Sequence, residues 1–334
     1  MASSGTRLDR LAVVGVLTLL GVLLGAWAFL WVPGGDLARL LGVLATVGVA
    51  VLAFRVASGW AREVFPDYNV ARVTVEGPIE RRPSQSMPPR PQSVGADDLV
   101  DRIEAADDDT AVDGLLVELD TPGGEVVPSE DLRRAVADFD GPTIGYARDT
   151  CASGGYWIAS GCDRVVAREG SLVGSIGVLA SRMTGADLLD RLGITYERLV
   201  AGDYKDAGVA LKEMEADERE YLQGIVDGYY DTFLDRVAEG RDVDREALRE
   251  TEARVYLGPE AKRLGLVDEV GDRDAALEWL EESIGAPATV RDFEPDRGLV
   301  ERLQGGASAV AYSVGAGAAS VVFGEDGPDR LEFR

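Results

Sequence analysis

The segment Gly114-Leu-Leu-Val-Glu-Leu-Asp-Thr-Pro-Gly-Gly124, written GLLVELDTPGG, predicts a buried strand that ends in a glycine-rich turn. An amphipathic helix is predicted next, from Ser129 to Phe139, followed by a second buried strand from Thr143 to Ala147. Upstream, Ala71 to Val75 reads as a strand and Ala96 to Ala106 as a helix. Continuous apolar strands that alternate with helices are typical of a sheet covered by helices. We therefore expect an α/β fold.

The same alternation continues downstream and sets the extent of the predicted domain. We expect a strand from Tyr196 to Val200, a helix from Glu213 to Ala238, and a strand, helix and turn within Arg254 to Val270. The proline-rich segment from Arg81 to Ser93 is typical of a loop. Together these elements predict one α/β domain over residues 69–290.

The N-terminal region is predicted to anchor the chain in a membrane. Leu11 to Val32 holds 22 residues without a charge, and as a helix it would reach about 33 Å, close to the ~30 Å of a hydrocarbon core. A second uncharged run, Leu40 to Phe54, lies between two arginines whose side chains can reach the interfaces. Residues 1–62 are thus predicted to form a transmembrane hairpin with helices at about 11–32 and 37–57. The arginines flanking the hairpin favour cytoplasmic ends by the positive-inside rule.

A cleaved signal peptide is the alternative for the first run. Ala26-Trp27-Ala28 resembles a cleavage site, but the apolar run continues to Val32 and exceeds a signal core of about 7 to 15 residues. An uncleaved anchor is preferred, as a single-pass or a multi-pass segment. At the other end, residues 291–334 form a tail in which Leu303 to Gly324 is uncharged but rich in Gly, Ala and Ser. We expect an oligomer contact or a membrane-surface helix there rather than a third span.

The charge composition excludes one class of partner. The net charge is −25, and only three of the 34 basic residues are lysine. A surface so acidic argues against binding nucleic acid, which requires clustered Lys and Arg. Acidity with arginine as the main cation is also typical of proteins that stay soluble in concentrated salt, and it predicts a halophilic source.

The chain has no histidine, which narrows the chemistry sharply. Ser-His-Asp triads, His-paired cysteine catalysis and H-E-x-x-H zinc sites are all excluded. Ser153 nevertheless stands between small residues in CASGGYWIAS, residues 151–160, at the predicted start of an apolar helix. A serine hydroxyl needs a base to become a nucleophile, and lysine is the remaining candidate. The structural alternative is that Ser153 only caps the helix.

Of the three lysines, Lys205 is the best placed to act as a base. Lys212 and Lys262 lie in charged helical sequence that is typical of a solvated surface, whereas Lys205 follows a predicted strand in a loop-like segment. An ordinary lysine, with a pKa of about 10.4, is charged at neutral pH, so a basic lysine must be held neutral by its surroundings. Asp203 and Asp206 would stabilise the ammonium form if they faced Lys205, so they must point away.

Backbone N–H donors for a developing oxyanion are predicted at two glycines. Gly124 ends the turn after a buried strand, where the missing Cβ lets the backbone approach a ligand. Gly154 follows Ser153 at a helix start, where the dipole favours negative charge. An ordinary turn is the alternative reading for Pro-Gly-Gly. Cys151 and Cys162 are predicted to be buried packing residues.

Five motifs, in this order along the chain, resemble those of the signal peptide peptidase A family, which consists of membrane-anchored Ser-Lys peptidases with the ClpP/crotonase fold. They are D-T-P-G-G at 120–124, A-S-G-G-Y at 152–156, G-S-I-G-V at 174–178, Y-K-D-A-G at 204–208 and G-L-V-D-E-V-G at 265–271. The resemblance covers Ala71 to Leu280. It implies Ser153 as nucleophile, Lys205 as general base, Ser175 as the group that orients the lysine amine, and Gly124 and Gly154 as oxyanion donors.

The resemblance also implies an activity and partners. The expected protein is a membrane-bound serine endopeptidase that hydrolyses apolar peptides such as cleaved signal peptides and needs no metal or other cofactor. Membrane lipid and a homo-oligomeric ring are the expected partners. The family's active sites lie near protomer contacts, so the sequence leaves open whether nucleophile and base come from one chain or from two. The expected protein is an archaeal halophilic-type member. Three alternatives stay open: a stomatin-associated membrane protease of the same fold, a crotonase-type enzyme acting on acyl-CoA, and a catalytically silent membrane scaffold. The sequence leaves open which membrane face carries the domain.

Overall fold

The computed structural model describes residues 3–30, 36–64, 66–82 and 94–293. The helices of these residues are α1 (Ser3–Leu30), α2 (Asp36–Val64), α3 (Ala96–Asp107), α4 (Val126–Ala137), α5 (Gly154–Ala159), α6 (Ala186–Arg191), α7 (Ala216–Arg241), α8 (Arg245–Glu250), α9 (Gly258–Arg263) and α10 (Arg273–Ile284). The strands are β1 (Val70–Glu76), β2 (Gly114–Thr121), β3 (Thr143–Ala152), β4 (Arg164–Ala167), β5 (Leu172–Gly174), β6 (Val255–Leu257), β7 (Glu269–Val270) and β8 (Val290–Asp292).

The strands form one sheet in the order β6-β5-β3-β2-β1-β8, and β4 pairs with β3 and β7 outside this path. All pairings are parallel except that of β5 with β6. β3 is divided between two neighbours, because Ile144 to Ala147 pair with β4 and Thr150 to Ala152 pair with β5. Because of this change of partner, the end of β3 lies next to β5 rather than β4, and the chain continues from there into α5.

Helices cover both faces of the sheet, which explains why β2 is almost continuously buried. The larger core lies on the face covered by α3, α4, α5 and α7, and it includes Leu115, Val117 and Leu119 of β2. The alternate residue Leu116 packs on the opposite face with Ala276 and Leu280 of α10. The period-two alternation of a strand therefore divides β2 between two cores.

Most elements predicted from the sequence are present with shifted ends. The predicted strand at 71–75 is β1, and the predicted helix at 96–106 is α3. Helix α4 begins three residues earlier than predicted, because Pro128 is tolerated in a first turn whose N–H groups have no helical acceptor. The predicted strand from Tyr196 to Val200 is wrong, since the segment is extended but unpaired and Leu199 is fully exposed.

Two long helices occupy the N-terminal region where a hairpin was predicted, and they pack against each other. Both are longer than expected, since α1 begins at Ser3 and α2 ends at Val64. Among the residues whose placement is described, however, none of the helices has both the length and the apolar character needed to cross a membrane. The helical pair is thus present, whereas its predicted membrane-spanning character is not supported.

The chain divides into two compact units, residues 1–293 and 294–334. The sheet and the helices above belong to the first unit. The second lies outside the described residues, as does the helix expected within residues 303–324. Most of the predicted proline-rich loop, residues 83–93, also falls outside them.

Candidate active site

Ser153 occupies a sharp turn between β3 and α5. Its backbone has φ 53° and ψ −121°, a left-handed conformation that is rare for a residue with a side chain. The turn is fixed from both sides, because the Ser153 N–H donates to the Gly174 carbonyl at 2.9 Å and the Trp157 N–H donates to the Ser153 carbonyl at 2.9 Å. The Ser153 side chain makes no capping hydrogen bond, so the structure does not support the alternative role of a helix cap.

Helix α5 holds this turn in place because all six of its residues are buried. The Tyr156 hydroxyl donates to the Leu266 carbonyl at 2.8 Å, and the Trp157 Nε1 donates to Glu130 at 2.7 Å. Burial disfavours the Glu130 carboxylate, but hydrogen bonds from Arg133 and Trp157 outweigh that cost and lower its pKa. Tyr156 to Ala159 therefore pack into the core.

The glycine-rich turn after β2 lies directly against the Ser153 turn. The Ile79 N–H donates to the Gly123 carbonyl at 3.0 Å, and the Glu125 N–H donates to the Ile79 carbonyl at 2.8 Å. Because successive N–H groups of an extended chain alternate in direction, the Gly124 N–H points away from Ile79. A Cβ on Gly124 would lie 2.0 Å from the Ile79 carbonyl oxygen, so only glycine fits between these backbones.

Gly124 and Gly154 present neighbouring N–H groups. A Cβ placed on Gly154 would lie 3.2 Å from the Gly124 nitrogen and 2.3 Å from the Ser129 hydroxyl oxygen. Within the described ranges, neither N–H donates to a backbone carbonyl, and Gly154 is the first residue of α5, where helical acceptors are lacking. Both donors are therefore free for a ligand.

These groups line one cavity of about 850 Å³. Four of the five predicted site residues meet there, namely Ser153, Ser175, Gly124 and Gly154. Ser175 also has a left-handed backbone, φ 51°, and its N–H donates to the Arg254 carbonyl at 2.9 Å. The larger apolar side chains of the wall are Val126, Trp157, Val178, Leu179, Val226, Tyr230 and Phe233.

Lys205, the fifth predicted residue, is not among the residues that line this cavity. It lies in an exposed turn, and in the described part of the chain its amine forms no ion pair. The neighbouring Asp206 is buried and pairs with Arg198 and Lys212 instead. The condition that Asp206 be turned away from Lys205 is thus met within this chain, whereas a contact between Lys205 and Ser153 is not formed.

Two parts of the cavity wall were not predicted from the sequence. Helix α7 contributes Gln223, Val226, Asp227, Tyr230 and Phe233, a stripe at helical spacing that any core-facing helix shows. The other part is the turn at Glu252 and Ala253, two consecutive non-glycine residues with φ near 50°. The sequence does not predict the turn at Glu252 and Ala253, because neither glutamate nor alanine favours a positive φ.

The two cysteines are free and buried, as predicted. Burial raises the pKa of both thiols, to about 12 for Cys162, and to a still higher value for Cys151. Neither is a nucleophile at neutral pH, because the thiolate is the reactive form. In the described ranges, moreover, no group of three or more acidic or cysteine side chains is arranged to hold a metal ion.

The site therefore combines a serine hydroxyl without a structural role, two N–H groups without backbone acceptors, and an apolar cavity. N–H groups near a nucleophile can stabilise the charge that develops on a carbonyl oxygen under attack. This arrangement suits acyl transfer at a serine, provided that a base is supplied.

Curated proteins similar to this chain include proteases. A putative protease of Methanocaldococcus jannaschii is 32% identical over 289 residues, which cover 84% of this chain and 92% of that protein. A putative signal peptide peptidase SppA of Enterococcus faecium is 34% identical, with 58% of each chain covered. Protease 4 of Haemophilus influenzae is 26% identical over 67% of this chain and 37% of its own length, so the chain spans only part of these last two relatives.

Among solved structures, the chain is similar to a mutant of a membrane-bound stomatin-specific protease, with a TM-score of 0.44 and 17% identity. The match covers 69% of this chain and 99% of the other. The family model described as Peptidase family S49 matches residues 138–286, a segment that includes the Ser153 turn and α7. Together with the relative from Methanocaldococcus jannaschii, which is aligned over nearly its whole length, this match identifies the protein: the chain belongs to Peptidase family S49.

Proposed function

We propose that the protein is a serine endopeptidase in which Ser153 is the nucleophile and Lys205 is the general base. The neutral Lys205 amine takes the Ser153 hydroxyl proton as Oγ adds to the peptide carbonyl carbon. The Gly124 and Gly154 N–H groups bind the resulting oxyanion. As the intermediate collapses, the C–N bond breaks and the lysine ammonium returns the proton to the leaving amine. Water then hydrolyses the acyl-enzyme.

The observation that carries this proposal is the conformation of Ser153. Its left-handed backbone holds the hydroxyl beside the Gly124 and Gly154 backbones, at the wall of an apolar cavity. A strained backbone of this kind costs about 1–3 kcal/mol and clusters at functional sites. Membership of a peptidase family supports the same conclusion.

The base is proposed to reach Ser153 from a second copy of the chain within a homo-oligomer. Lys205 lies in the long segment of residues 178–215 that connects β5 to α7. The helix α6 within this segment has no buried residue. Large apolar side chains in this segment are highly exposed, including Leu179 at 84%, Met183 at 88% and Leu199 at 100%. A contiguous exposed apolar surface favours association, and a neighbouring copy that covers it would bring Lys205 within reach of another cavity. Ser175 would then orient the amine.

The proposed substrates are apolar peptides, including cleaved signal peptides, because large apolar side chains such as Trp157 and Phe233 make up much of the cavity wall. We also propose that the protein is bound to a membrane through α1 and α2. Their described residues expose many large apolar side chains, such as Leu24, Trp27, Leu44 and Leu52, each exposed by more than half. Such surfaces bind lipid more readily than water. Adaptation to concentrated salt, as in an archaeal halophilic-type member, is proposed from the net charge alone.

The test compares hydrolysis of an apolar fluorogenic peptide by the wild type, Ser153→Ala and Lys205→Ala. We expect either substitution to lower kcat by about 1,000-fold or more, since nucleophile and base act as a unit. Lys262→Ala is the matched control, because Lys262 lies on the surface helix α9, apart from the cavity, and it should retain full activity. A wild-type rate in either site variant would refute the mechanism, and an inactive wild type would favour the silent scaffold.

A further inference from the structure

A network of four charged side chains, of which the two carboxylates are buried, includes the residue next to Lys205. Asp206 is only 6% exposed, and its Oδ1 accepts a hydrogen bond from Arg198 Nη2 at 2.7 Å. Its Oδ2 lies 3.6 Å from the Lys212 amine, too far for a hydrogen bond but close enough for strong attraction in a buried position. Lys212 in turn donates to Glu218, which is also buried. The network thus alternates charges as Arg198, Asp206, Lys212 and Glu218.

The network joins three separate parts of the chain. Arg198 belongs to the extended segment before the Lys205 turn, Asp206 belongs to that turn, and Glu218 lies in the first turn of α7. Glu218 is itself fixed, because its Oε2 accepts from the Glu215 N–H at 3.1 Å in a capping box. Helix α7 also lines the Ser153 cavity. The network therefore links the turn that carries Lys205 to an element of the site.

The charges of the network have a direct consequence for a neighbouring base. A buried carboxylate that loses its partners is destabilised, so Asp206 stays with Arg198 and Lys212. If it were released, the nearest cation in sequence would be Lys205. A carboxylate beside an amine stabilises the ammonium form, which cannot accept a proton. Holding Asp206 inward thus fixes the turn that carries Lys205 and keeps the carboxylate away from the amine.

We propose that Asp206 is a positioning residue: its ion pairs with Arg198 and Lys212 fix the turn that carries Lys205 and keep its own carboxylate away from the lysine amine. This inference rests on the proposed role of Lys205 as base. Asp206 is not itself a catalytic residue, because it acts through its neighbour.

The experiment measures kcat and KM for Asp206→Asn and Lys212→Gln on the apolar peptide. We expect kcat to fall about 10- to 100-fold, as for a misplaced catalytic group, while KM changes by less than about twofold. Lys212→Arg keeps the charge and should restore most of the rate. Lys262→Gln removes the only lysine outside both the network and the proposed base, and it should leave kcat unchanged.

A further variant separates release of the carboxylate from simple loosening of the turn. Arg198→Gln with Lys212→Gln frees Asp206, and adding Asp206→Asn to that pair removes the freed charge. We expect the triple variant to be about tenfold faster than the double variant, because the ammonium form of Lys205 is no longer favoured. Melting temperature and oligomer mass are measured for every variant.

The inference is overturned if Asp206→Asn and Lys212→Gln keep the wild-type kcat. It is also overturned if they lose activity only together with folding or assembly, which would give the network a purely structural role. These outcomes differ from failure of the proposed function. An active Lys205→Ala refutes the base itself, whereas an inactive Lys205→Ala with an unaffected Asp206→Asn refutes only the positioning role.

Discussion

At the scale of single residues, the site depends on backbone positions that most side chains would not tolerate. Ser153 adopts a left-handed conformation, and its neighbours supply the hydrogen bonds that hold it there. Gly124 passes so close to Ile79 that a Cβ has no room. The candidate site is thus formed by two adjacent turns, one after β2 and one after β3.

Substituting Gly124 by alanine should damage activity severely. The added Cβ would lie 2.0 Å from the Ile79 carbonyl oxygen, so the turn must shift. The residue 124 N–H would then no longer point into the cavity. We expect kcat/KM to fall about 100-fold or more, the usual effect of losing an oxyanion donor, along with a lower melting temperature. Gly170→Ala is the control, because its Cβ would meet nothing within 4 Å. Normal kinetics for Gly124→Ala would exclude this N–H from the reaction.

Thiol reagents should not inhibit the folded protein. Burial raises the pKa of both cysteines, to about 12 for Cys162, so the thiols stay protonated throughout the range below that value. Iodoacetamide reacts with thiolates, and we expect no labelling of the native protein at pH 8 and labelling of both cysteines in denaturant. Mass spectrometry of the intact protein gives the count. Rapid modification of the native protein with loss of activity would point to a cysteine mechanism instead.

At the scale of elements, the end of β3 and helix α7 together shape the cavity. β3 changes partner along its length, which directs its last residues towards β5 and into the Ser153 turn. Helix α7 closes the other side through Phe233, whose ring stacks on Trp157 with centroids 4.3 Å apart. Helix α5, which follows Ser153, and helix α7 in the cavity wall are therefore joined by one aromatic contact.

Phe233→Ala should reveal this coupling. Phe233 is almost fully buried, so its truncation should lower the free energy of unfolding by about 3–5 kcal/mol. KM for apolar peptides should rise as well, because the same ring lines the cavity. Chemical denaturation and steady-state kinetics measure the two effects. Tyr229→Ala, at a position of α7 that is 40% exposed and does not line the cavity, should change both quantities much less, and an equal loss in both variants would contradict the account.

The sequence predicts these elements best where apolar runs are unbroken. β2 and α3 are predicted within about two residues, since their patterns have few interruptions. The second half of β3 is missed because Arg148 and Asp149 interrupt the apolar run, although a neighbouring strand still pairs there. The predicted strand at 196–200 is wrong. Its apolar residues are exposed to solvent, and the sequence pattern alone does not show whether apolar residues are buried or exposed.

The candidate site is predictable to the same extent. The small residues around Ser153 and the glycines after β2 can be recognised in the sequence. The fold brings them together in one cavity. Lys205 is identified only by elimination and by resemblance, and nothing in the sequence states where its turn lies. The wall formed by α7 is unpredictable, because a stripe of core-facing residues looks the same whether it covers a core or a cavity.

At the scale of the whole molecule, acidity is the dominant feature. The net charge of −25 is distributed with many ion pairs, such as Arg245 with Asp231 and Asp235. Exposed pairs of this kind contribute little to stability, and salt weakens them. Repulsion among the excess carboxylates opposes folding, and salt weakens it too. Since negative charges greatly outnumber positive ones, relief of repulsion should prevail.

The melting temperature should therefore rise with salt. Raising KCl from about 0.1 M to about 1 M shortens the screening length from about 10 Å to about 3 Å and should stabilise the folded state. NaCl should have the same effect as KCl, because screening does not depend on the identity of the cation. Differential scanning calorimetry measures the shift. A constant or falling melting temperature would contradict the predicted adaptation to salt.

The most direct test of the Ser-Lys mechanism is the mass of the acyl-enzyme. The protein is mixed with an apolar peptide ester, quenched in acid within the first turnover, and mapped by peptide mass spectrometry. We predict an added acyl mass on the fragment that carries Ser153, and no adduct in Ser153→Ala or Lys205→Ala. An adduct on another residue, such as Ser129 or Ser175 in the same cavity, or substrate cleavage without any adduct, would contradict the account.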